Sequence, residues 1–235
     1  KIVATIGPAS SSREVMSAML EAGMNVARLK FSHGDFATHA GVISDLRPAS
    51  EATGRRLGIM ADLPGPKMRI GQLAEEPIEL RPGARFTLTT RDEVGDGDSA
   101  SVTFARLPLV VRPGARLFLN DGLIQLEVEE VDGADVRCRV VVGGELRSRK
   151  GLNLPGIDLG MAAFTVRDLE CLRFASEQGV DIVSQSFVGS ATDLGLLRAA
   201  AAELGYSPFV VAKVERSSAL DHLDEILEAA DGVMV

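Results

Sequence analysis

The sequence predicts an α/β fold, a (β/α)8 TIM-type barrel that is incomplete after about six strands and carries an inserted all-β lid domain. Short apolar runs alternate with amphipathic segments before residue 64 and again after residue 153 of the 235-residue chain. Between them, short strands and turn signals occur without a long helical period. A doubly wound sheet with helices on both faces is the alternative that these patterns leave open.

The first elements follow one another in a strand–helix alternation. The apolar runs KIVATIG, MNVARLKF and LGIMADL predict three buried strands. SSREVMSAMLEAG begins with serines, keeps apolar residues on one face and ends at Gly23, a pattern typical of a capped helix. DFATHAGVISDLRPASEATG predicts a second helix. A β-α-β-α-β run of this kind implies parallel strands joined by helical crossovers.

The middle of the chain predicts strands and tight turns. The motif RPGAR occurs twice, at Arg81–Arg85 and Arg112–Arg116, each time ahead of an apolar run. Pro-Gly favours a tight turn, so we interpret the repeat as reused turn chemistry rather than as a duplication. We therefore predict a barrel domain over 1–64 and 153–235, and a lid domain over 65–152.

The alternation resumes after GLNLPG. The segments TVRDLECLRFASEQG, ATDLGLLRAAAAELG and ALDHLDEILEAA predict helices, and VDIVSQSFV, PFVVAKVE and GVMV predict strands. The chain begins at Lys1 rather than at a methionine and stops inside the last predicted strand. We therefore expect it to be a piece of a longer protein.

Composition and charge exclude several classes of function. The formal net charge of -8 argues against a general nucleic-acid binder, which presents a basic face. No apolar run approaches the roughly 20 residues of a membrane span, and no signal peptide is visible, so we expect no membrane partner and a cytoplasmic location. Cys138 and Cys171 form no metal or redox motif. We expect them to be small buried hydrophobic residues in a reducing compartment.

Polar residues gather at the ends of the predicted strands, which share one face of a barrel. The candidates, polar except for Pro8 and Phe187, are Thr5 and Pro8 from the first strand end, Arg28 and Lys30 in the second strand with Ser32 and His33 after it, Asp62 in the third, Ser184, Ser186 and Phe187 in the fourth, and Lys213 and Glu215 in the fifth. Alternate residues of a strand point the same way, so Arg28 and Lys30 project together, as do Lys213 and Glu215. A Lys-x-Glu pair can hold a metal through its carboxylate while the ammonium faces an anionic substrate.

The same residues allow a plainer interpretation. Lys213 can belong to a buried salt-bridge network, where it neutralises Glu215 or Asp62. His33 suits a solvated loop, and Ser186 and Phe187 suit packing at a strand end. The residues alone therefore leave two interpretations open. One is a site for a phosphorylated or carboxylated small molecule, and the other is a structural network.

Eight stretches together resemble the pyruvate kinase family in order and spacing, over the whole chain. They are KIVATIGPAS, GMNVARLKFSHGD, DLPGPKMRIG, NDGLIQLEV, KGLNLPG, VDIVSQSFV, KVE and EILEAADGVMV. The resemblance implies a (β/α)8 barrel with a small β lid inserted after the third strand. It also implies glycolytic, magnesium-dependent transfer of a phosphoryl group from phosphoenolpyruvate to ADP in a homotetramer.

The resemblance assigns roles to individual residues. Lys213 matches the lysine that stabilises charge on the transferring phosphoryl group and the enolate, and Arg28 matches the arginine near the phosphates. Glu215 matches a ligand of magnesium, which manganese can replace. The remaining assignments are Thr5, Pro8, Arg28, His33 and Lys150 for the nucleotide, Ser186 and Phe187 with Lys213 for the substrate, and Ser32 and Asp62 for potassium.

Three residues depart from the family pattern. Lys30 stands where an asparagine that binds potassium is usual, Leu63 where a threonine is usual, and Lys67 where potassium-dependent members carry glutamate. Two unit charges 4 Å apart repel by about 4 kcal/mol at an effective dielectric of 20, so two ammoniums disfavour a bound potassium ion. We therefore expect no potassium requirement.

The family continues beyond GVMV into an Arg-Gly-Asp whose aspartate is the second magnesium ligand. We accordingly expect the 235-residue chain alone to be inactive. Two alternatives remain. One is a divergent phosphoenolpyruvate/pyruvate-type barrel, an aldolase or phosphotransferase acting on another 2-oxo acid or enol phosphate, and the other is a non-catalytic homologue.

Overall fold

The computed structural model describes residues 1–157 and 159–235. The chain divides into two compact units. The first comprises Lys1–Pro66 and Ala162–Val235, and the second comprises Lys67–Met161.

The first unit begins with three strands and two helices in alternation. They are β1 (Ile2–Thr5), α1 (Arg13–Glu21), β2 (Met24–Lys30), α2 (Phe36–Thr53) and β3 (Gly58–Leu63), with a short 3-10 turn at Pro8–Ser10. Ser12 caps α1 by accepting a hydrogen bond from the Val15 N–H, as its sequence predicts. The α2 helix ends at Gly54, whose φ of 64° is a left-handed conformation that glycine adopts without strain.

In its described residues, the second unit contains strands and one short helix. They are β4 (Ile78–Leu80), β5 (Arg85–Thr89), β6 (Ser99–Ser101), α3 (Leu107–Val110), β7 (Arg116–Leu119), β8 (Ile124–Asp132), β9 (Asp135–Val142), β10 (Gly144–Leu146) and β11 (Leu152–Asn153). Both RPGAR motifs form tight turns with Gly83 and Gly114 at positive φ, as predicted. The helix α3 was not predicted, because a single turn is too short to show a helical period.

The remaining elements complete the first unit. They are α4 (Val166–Glu177), β12 (Ile182–Gln185), α5 (Ala191–Glu203), β13 (Phe209–Lys213), α6 (Leu223–Ala229) and β14 (Gly232–Met234). The segment 219–230, predicted as one last helix, instead starts within a 3-10 helix at Ser217–His222. The predicted fourth strand is also shorter than expected, because the chain turns at Phe187, whose φ is 59°.

The six strands of the first unit form one parallel sheet in the order β1-β2-β3-β12-β13-β14. This order follows the chain without the reversal that defines the switch point of a doubly wound sheet. The α/β prediction is therefore confirmed at the level of a parallel sheet with helical crossovers. Apolar faces of the helices, including Met16, Leu20 and Leu46, pack in the core of this unit.

A six-stranded sheet, β11-β7-β8-β9-β5-β6, and the pair β10-β4 make up the second unit. Its own core includes Phe86, Leu117 and Cys138. Both cysteines are buried, as predicted, and burial raises the pKa of the Cys138 thiol to about 12 and that of Cys171 to about 11. Across residues 1–157 and 159–235, no helix combines the length and the apolar character needed to cross a membrane.

Candidate active site

Asp62 lies at the centre of the polar cluster in the first unit. It is the fifth residue of β3, and its backbone pairs in register with Lys30 on β2 and Ser184 on β12. Its side chain is only 2 % exposed. A carboxylate in such surroundings needs charged or hydrogen-bonding partners, because an isolated buried charge is strongly disfavoured.

Arg28 meets one oxygen of this carboxylate. Its Nε and Nη2 atoms lie 3.0 and 2.5 Å from Asp62 Oδ2. Its Nη1 also donates to the Thr5 hydroxyl at 3.4 Å, since the register of β1 and β2 sets Thr5 beside Arg28. The Arg28 side chain remains 22 % exposed, so part of the guanidinium faces solvent.

The other oxygen of Asp62 has two donors. The Ser184 hydroxyl donates to Oδ1 at 2.9 Å, and the Lys213 ammonium lies 3.2 Å from the same atom. Both oxygens of Asp62 are thus engaged by protein donors. The strand register brings these residues together, since β3, β12 and β13 are neighbours in the sheet.

Lys213 has three partners and is 8 % exposed. Besides Asp62, its Nζ lies 3.0 Å from Glu215 Oε1 and donates to the Ser186 hydroxyl at 2.7 Å. Three partners match the three donors of an ammonium group. The Ser186 hydroxyl in turn donates to the carbonyl of Leu63 at 2.6 Å, so the ammonium is held on three sides.

Glu215 is fixed through both of its oxygens. While Oε1 pairs with Lys213, Oε2 accepts a hydrogen bond from the Phe187 N–H at 3.0 Å. The positive φ of Phe187, uncommon outside glycine, belongs to the turn that directs this N–H to the carboxylate. The Glu215 side chain is 33 % exposed, so this carboxylate forms the solvent-facing edge of the cluster.

The cluster therefore pairs two cations, Arg28 and Lys213, with two anions, Asp62 and Glu215. The structure brings Lys213 and Glu215 together as alternation along the strand predicts. The structure also contains the buried salt-bridge network that is the alternative interpretation, since Lys213 forms ion pairs with both Asp62 and Glu215. Geometry alone is compatible with either interpretation. What favours chemistry is that the exposed part of Arg28 and the exposed Glu215 lie at opposite ends of one connected network.

Two predicted residues lie next to this network. Lys30 pairs in register with Asp62 and is half-buried. Among the contacts of residues 1–157 and 159–235, its ammonium makes no hydrogen bond or ion pair. The Ser32 hydroxyl is buried and likewise lacks a hydrogen-bond partner in that part of the chain.

The predicted nucleotide-site residues are spread over several elements. Thr5 ends β1, Pro8 begins the exposed 3-10 turn, and His33 is exposed after β2, where its carbonyl accepts a hydrogen bond from His39 Nε2 at 2.8 Å. Lys67 and Lys150 belong to the second unit. The backbone carbonyl of Lys150 accepts the Ile70 N–H at 2.9 Å. Thr5 is joined to the Asp62 network by the hydrogen bond from Arg28.

The sequence placed Ser184 among the candidate residues but gave it no role of its own, and the structure connects it to the network through Asp62. Its signal was present in the sequence, because Ser184 stands two residues before Ser186 and alternate strand residues share a face. The register that aims it at Asp62 could not be read from the local sequence.

Glu215 can serve as one ligand of a metal ion. In the described residues, 1–157 and 159–235, no group of three or more histidine, cysteine, aspartate or glutamate side chains is arranged to hold a metal. Magnesium is commonly held by one or two carboxylates, with waters and substrate phosphates filling its other positions. A single partly exposed carboxylate fits that pattern, whereas a closed protein cage does not form here.

Comparison with known proteins identifies the family. The model of the pyruvate kinase barrel domain matches residues 1–235. Curated relatives named pyruvate kinase are 46% identical in Thermococcus litoralis and 42% identical in Mycobacterium intracellulare, each over 235 residues, and 38% identical over 238 residues in Staphylococcus saprophyticus. All of this chain is covered, against 50%, 50% and 41% of those relatives. The chain thus spans about half the length of the curated relatives it matches. Since the family model covers it from end to end, the chain belongs to the pyruvate kinase family.

Proposed function

We propose that the protein containing this chain transfers a phosphoryl group from phosphoenolpyruvate to ADP and releases pyruvate and ATP in glycolysis. The observation that carries the proposal is the buried Lys213 ammonium, held by Asp62, Glu215 and Ser186. Phosphoryl transfer depends mainly on positioning and on fixed positive charge where negative charge develops. A lysine fixed on three sides meets that need, and the three relatives named above are pyruvate kinases.

The two cations have different roles in this proposal. Lys213 stabilises charge on the transferring phosphoryl group and on the enolate left after transfer. Arg28 faces the phosphates with the part of its guanidinium that Asp62 does not engage. Because both cations are already held by carboxylates, little reorganisation is needed when an anionic substrate arrives.

The proposed metal is magnesium, or manganese in its place. Glu215 is the residue of this chain that would hold it, since its carboxylate is partly exposed at the edge of the cluster. Such an ion neutralises charge on phosphate oxygens and helps to orient them. The hydrogen bond from the Phe187 N–H keeps the Glu215 carboxylate oriented for this role.

The proposed enzyme needs no potassium. Both oxygens of Asp62 already accept donors from Arg28, Ser184 and Lys213, which leaves this carboxylate a poor ligand for another cation. Lys30 pairs in register with Asp62. We propose that its ammonium supplies the positive charge that a potassium ion provides in potassium-dependent members of the family, and that Lys67 contributes a second positive charge. The unpartnered Ser32 hydroxyl is available as an acceptor.

The remaining assignments rest on the family pattern. We propose nucleotide contacts for Thr5, Pro8, Arg28, His33 and Lys150, and substrate contacts for Ser186 and Phe187. At the level of the whole protein, we propose a closed (β/α)8 barrel with the 65–152 lid, a homotetramer, and a cytoplasmic location. The net charge of -8 argues against a nucleic-acid partner, and we propose that small anionic substrates are held by local cationic residues.

The test is formation of ATP from phosphoenolpyruvate and ADP by the full-length protein. We expect turnover with magnesium or manganese, and equal rates with and without potassium. No turnover with either divalent ion would remove the proposed reaction, and strong activation by potassium would contradict the roles of Lys30 and Lys67. Lys30→Asn combined with Lys67→Glu should create a potassium requirement, whereas Arg139→Gln on the second unit should not.

One observation favours a second candidate function. Lys30 adds an ammonium without an ion-pair partner, in the described residues, beside the Asp62 network. An extra cation suits a substrate with another anionic group, so a divergent phosphoenolpyruvate/pyruvate-type enzyme could act on a different 2-oxo acid or enol phosphate. A panel of 2-oxo acids and enol phosphates separates the two. Preference for phosphoenolpyruvate over every other compound removes the second candidate, and binding without turnover of any compound indicates a non-catalytic homologue.

A further inference from the structure

A second buried carboxylate lies outside the cluster described above. Asp168, in the first turn of α4, is 0% exposed. Its Oδ1 accepts the Gly65 N–H at 2.9 Å, while Oδ2 accepts the Thr165 N–H at 2.8 Å and the Thr165 hydroxyl at 2.6 Å. Burial raises the pKa of this carboxyl group, and the three hydrogen bonds offset part of that effect.

Helix capping accounts for only part of this arrangement. Thr165 and Asp168 form a capping box at the start of α4, which explains the bond from the Thr165 N–H, and the Thr165 hydroxyl donates within the same local pair. The third bond reaches Gly65, which is 103 residues away in the chain. A capping box needs no such partner, so the Gly65 bond calls for a separate explanation.

Gly65 lies directly against the turn that supports the candidate active site. Its φ is 63°, and a Cβ placed on it would lie 3.0 Å from the Ser186 carbonyl oxygen and 3.1 Å from Phe187 Cδ2. A larger residue there would require this turn to shift by a few tenths of an ångström, and its positive φ would be strained. The turn carries the Ser186 hydroxyl that receives Lys213 and the Phe187 N–H that holds Glu215.

We propose that Asp168 is a positioning residue for Lys213 and Glu215 and that it acts through Gly65. The Asp168 carboxylate holds the Gly65 backbone in place, and Gly65 buttresses Ser186 and Phe187. All of these residues belong to the first unit. The inference rests on the proposed function for the roles of Lys213 and Glu215, and it extends the site to a helix that touches no reacting group.

Asp168→Asn tests the link in the full-length protein. An amide has only one acceptor oxygen, so it cannot serve both the Gly65 and the Thr165 donors. The matched control is Asp181→Asn, because the Asp181 carboxylate also accepts a distant backbone N–H, that of Ile59 at 2.8 Å, at the other end of β3. Hydrogen exchange reports on the link directly, since the Pro64–Gly65–Pro66 segment contains a single amide, that of Gly65.

We expect Asp168→Asn to speed exchange at Gly65, to weaken Mn²⁺ binding measured by electron paramagnetic resonance, and to lower kcat by on the order of tenfold to hundredfold, as small misplacements of catalytic groups do. Asp181→Asn should leave Mn²⁺ binding and kcat within about twofold of the wild-type values. Unchanged Mn²⁺ affinity and kcat in Asp168→Asn, despite faster exchange at Gly65, would overturn the proposal.

A double-mutant cycle separates positioning from general loss of stability. Gly65→Ala pushes directly on Ser186 and Phe187, so if Asp168 acts through Gly65, the effects of the two substitutions on Mn²⁺ affinity should be clearly less than additive. Additive effects would contradict the link. If Gly65→Ala does not fold, the comparison of Asp168→Asn with Asp181→Asn decides alone.

Failure of the proposed function would appear differently, as a wild-type protein without turnover. The exchange and Mn²⁺ measurements would still test the positioning role in that case.

Discussion

Ion pairs in the two units of this chain have similar distances and very different surroundings. In the first unit, Asp62 lies 2.5 Å from Arg28 and 3.2 Å from Lys213, and its side chain is 2 % exposed. In the second unit, Arg139 on β9 lies 3.0 Å from Glu127 on β8, and these side chains are 45% and 33% exposed. Distance therefore does not separate the two kinds of pair, whereas burial does.

This difference in burial indicates on which charges the stability of the fold depends. An exposed pair exchanges one partner for water when it breaks, so it contributes only about 0–1 kcal/mol. A buried charge that loses its partner has no water to replace it, so the loss costs about 3–5 kcal/mol. Each charge of the first unit's cluster also has several partners, so one substitution there disturbs the whole network.

The largest expected effect comes from Lys213. We predict that Lys213→Met lowers phosphoryl transfer by on the order of a thousandfold, the loss seen when a cation that stabilises a transferring phosphoryl group is removed. Steady-state kinetics of the full-length enzyme measure it. Arg139→Gln is the control, since it removes the cation of the exposed Arg139–Glu127 pair, and its rate should equal that of the wild type. A loss below about tenfold for Lys213→Met would assign this lysine to the structural network alone.

Asp62 gives the next effect, on stability. Asp62→Asn leaves Arg28 and Lys213 without their shared carboxylate, and we predict a loss of about 3–5 kcal/mol in the free energy of unfolding. Equilibrium urea unfolding measures this loss. A cost as small as that of an exposed pair would mean that water enters the cluster and that the contrast between the units does not hold.

Local sequence patterns account for part of this contrast. Alternation along a strand predicts that Lys213 and Glu215 project together, and they do so even though β13 ends at Lys213. Strand–helix alternation likewise predicts the parallel sheet of the first unit. These features depend on residues close in sequence, which is why periodicity reveals them.

Other parts depend on contacts between distant segments. Asp62 meets Arg28, Ser184 and Lys213 because four strands align in one register, and no local pattern specifies that alignment. The Gly65–Asp168 bond spans 103 residues. The prediction of one helix over ALDHLDEILEAA does not separate the end of the 3-10 helix at Ser217–His222 from α6, because an apolar spacing of three, as between Leu220 and Leu223, suits both kinds of helix.

The exposed pair of Arg139 and Glu127 should contribute little to stability, and its contribution should depend on the salt concentration. We predict that Glu127→Gln lowers the free energy of unfolding by about 0.2–1 kcal/mol at low ionic strength. The cost should disappear in 1 M salt, where the screening length is about 3 Å. Urea unfolding at both salt concentrations measures it. The cost of Asp62→Asn should persist in 1 M salt, and a parallel loss of both costs would contradict the distinction between the units.

The smallest effect is a difference in pH dependence between a buried and an exposed carboxylate. Burial raises the pKa of Asp168 above its ordinary value of 3.8. Between 3.8 and that raised pKa, the folded state keeps a proton that the unfolded state has lost, so stability falls as pH rises through this window. Asp231 behaves oppositely, because the hydrogen bond from the Val210 N–H and the Arg198 guanidinium lower its pKa below 3.8. Its contribution is complete above 3.8 and is lost as pH falls through the lowered pKa.

Thermal unfolding of the wild type, Asp168→Asn and Asp231→Asn over roughly pH 3 to 7 tests this difference. The stability difference between the wild type and Asp168→Asn should shrink as pH rises, because ionisation of a buried carboxyl group disfavours the fold. The difference between the wild type and Asp231→Asn should grow over the same interval, because its ionised form is the one that the backbone N–H and the guanidinium bind. Slopes of the same sign would show that burial does not govern the pKa of Asp168. Its three hydrogen bonds would then stabilise the ionised form as fully as the Val210 N–H and Arg198 stabilise that of Asp231.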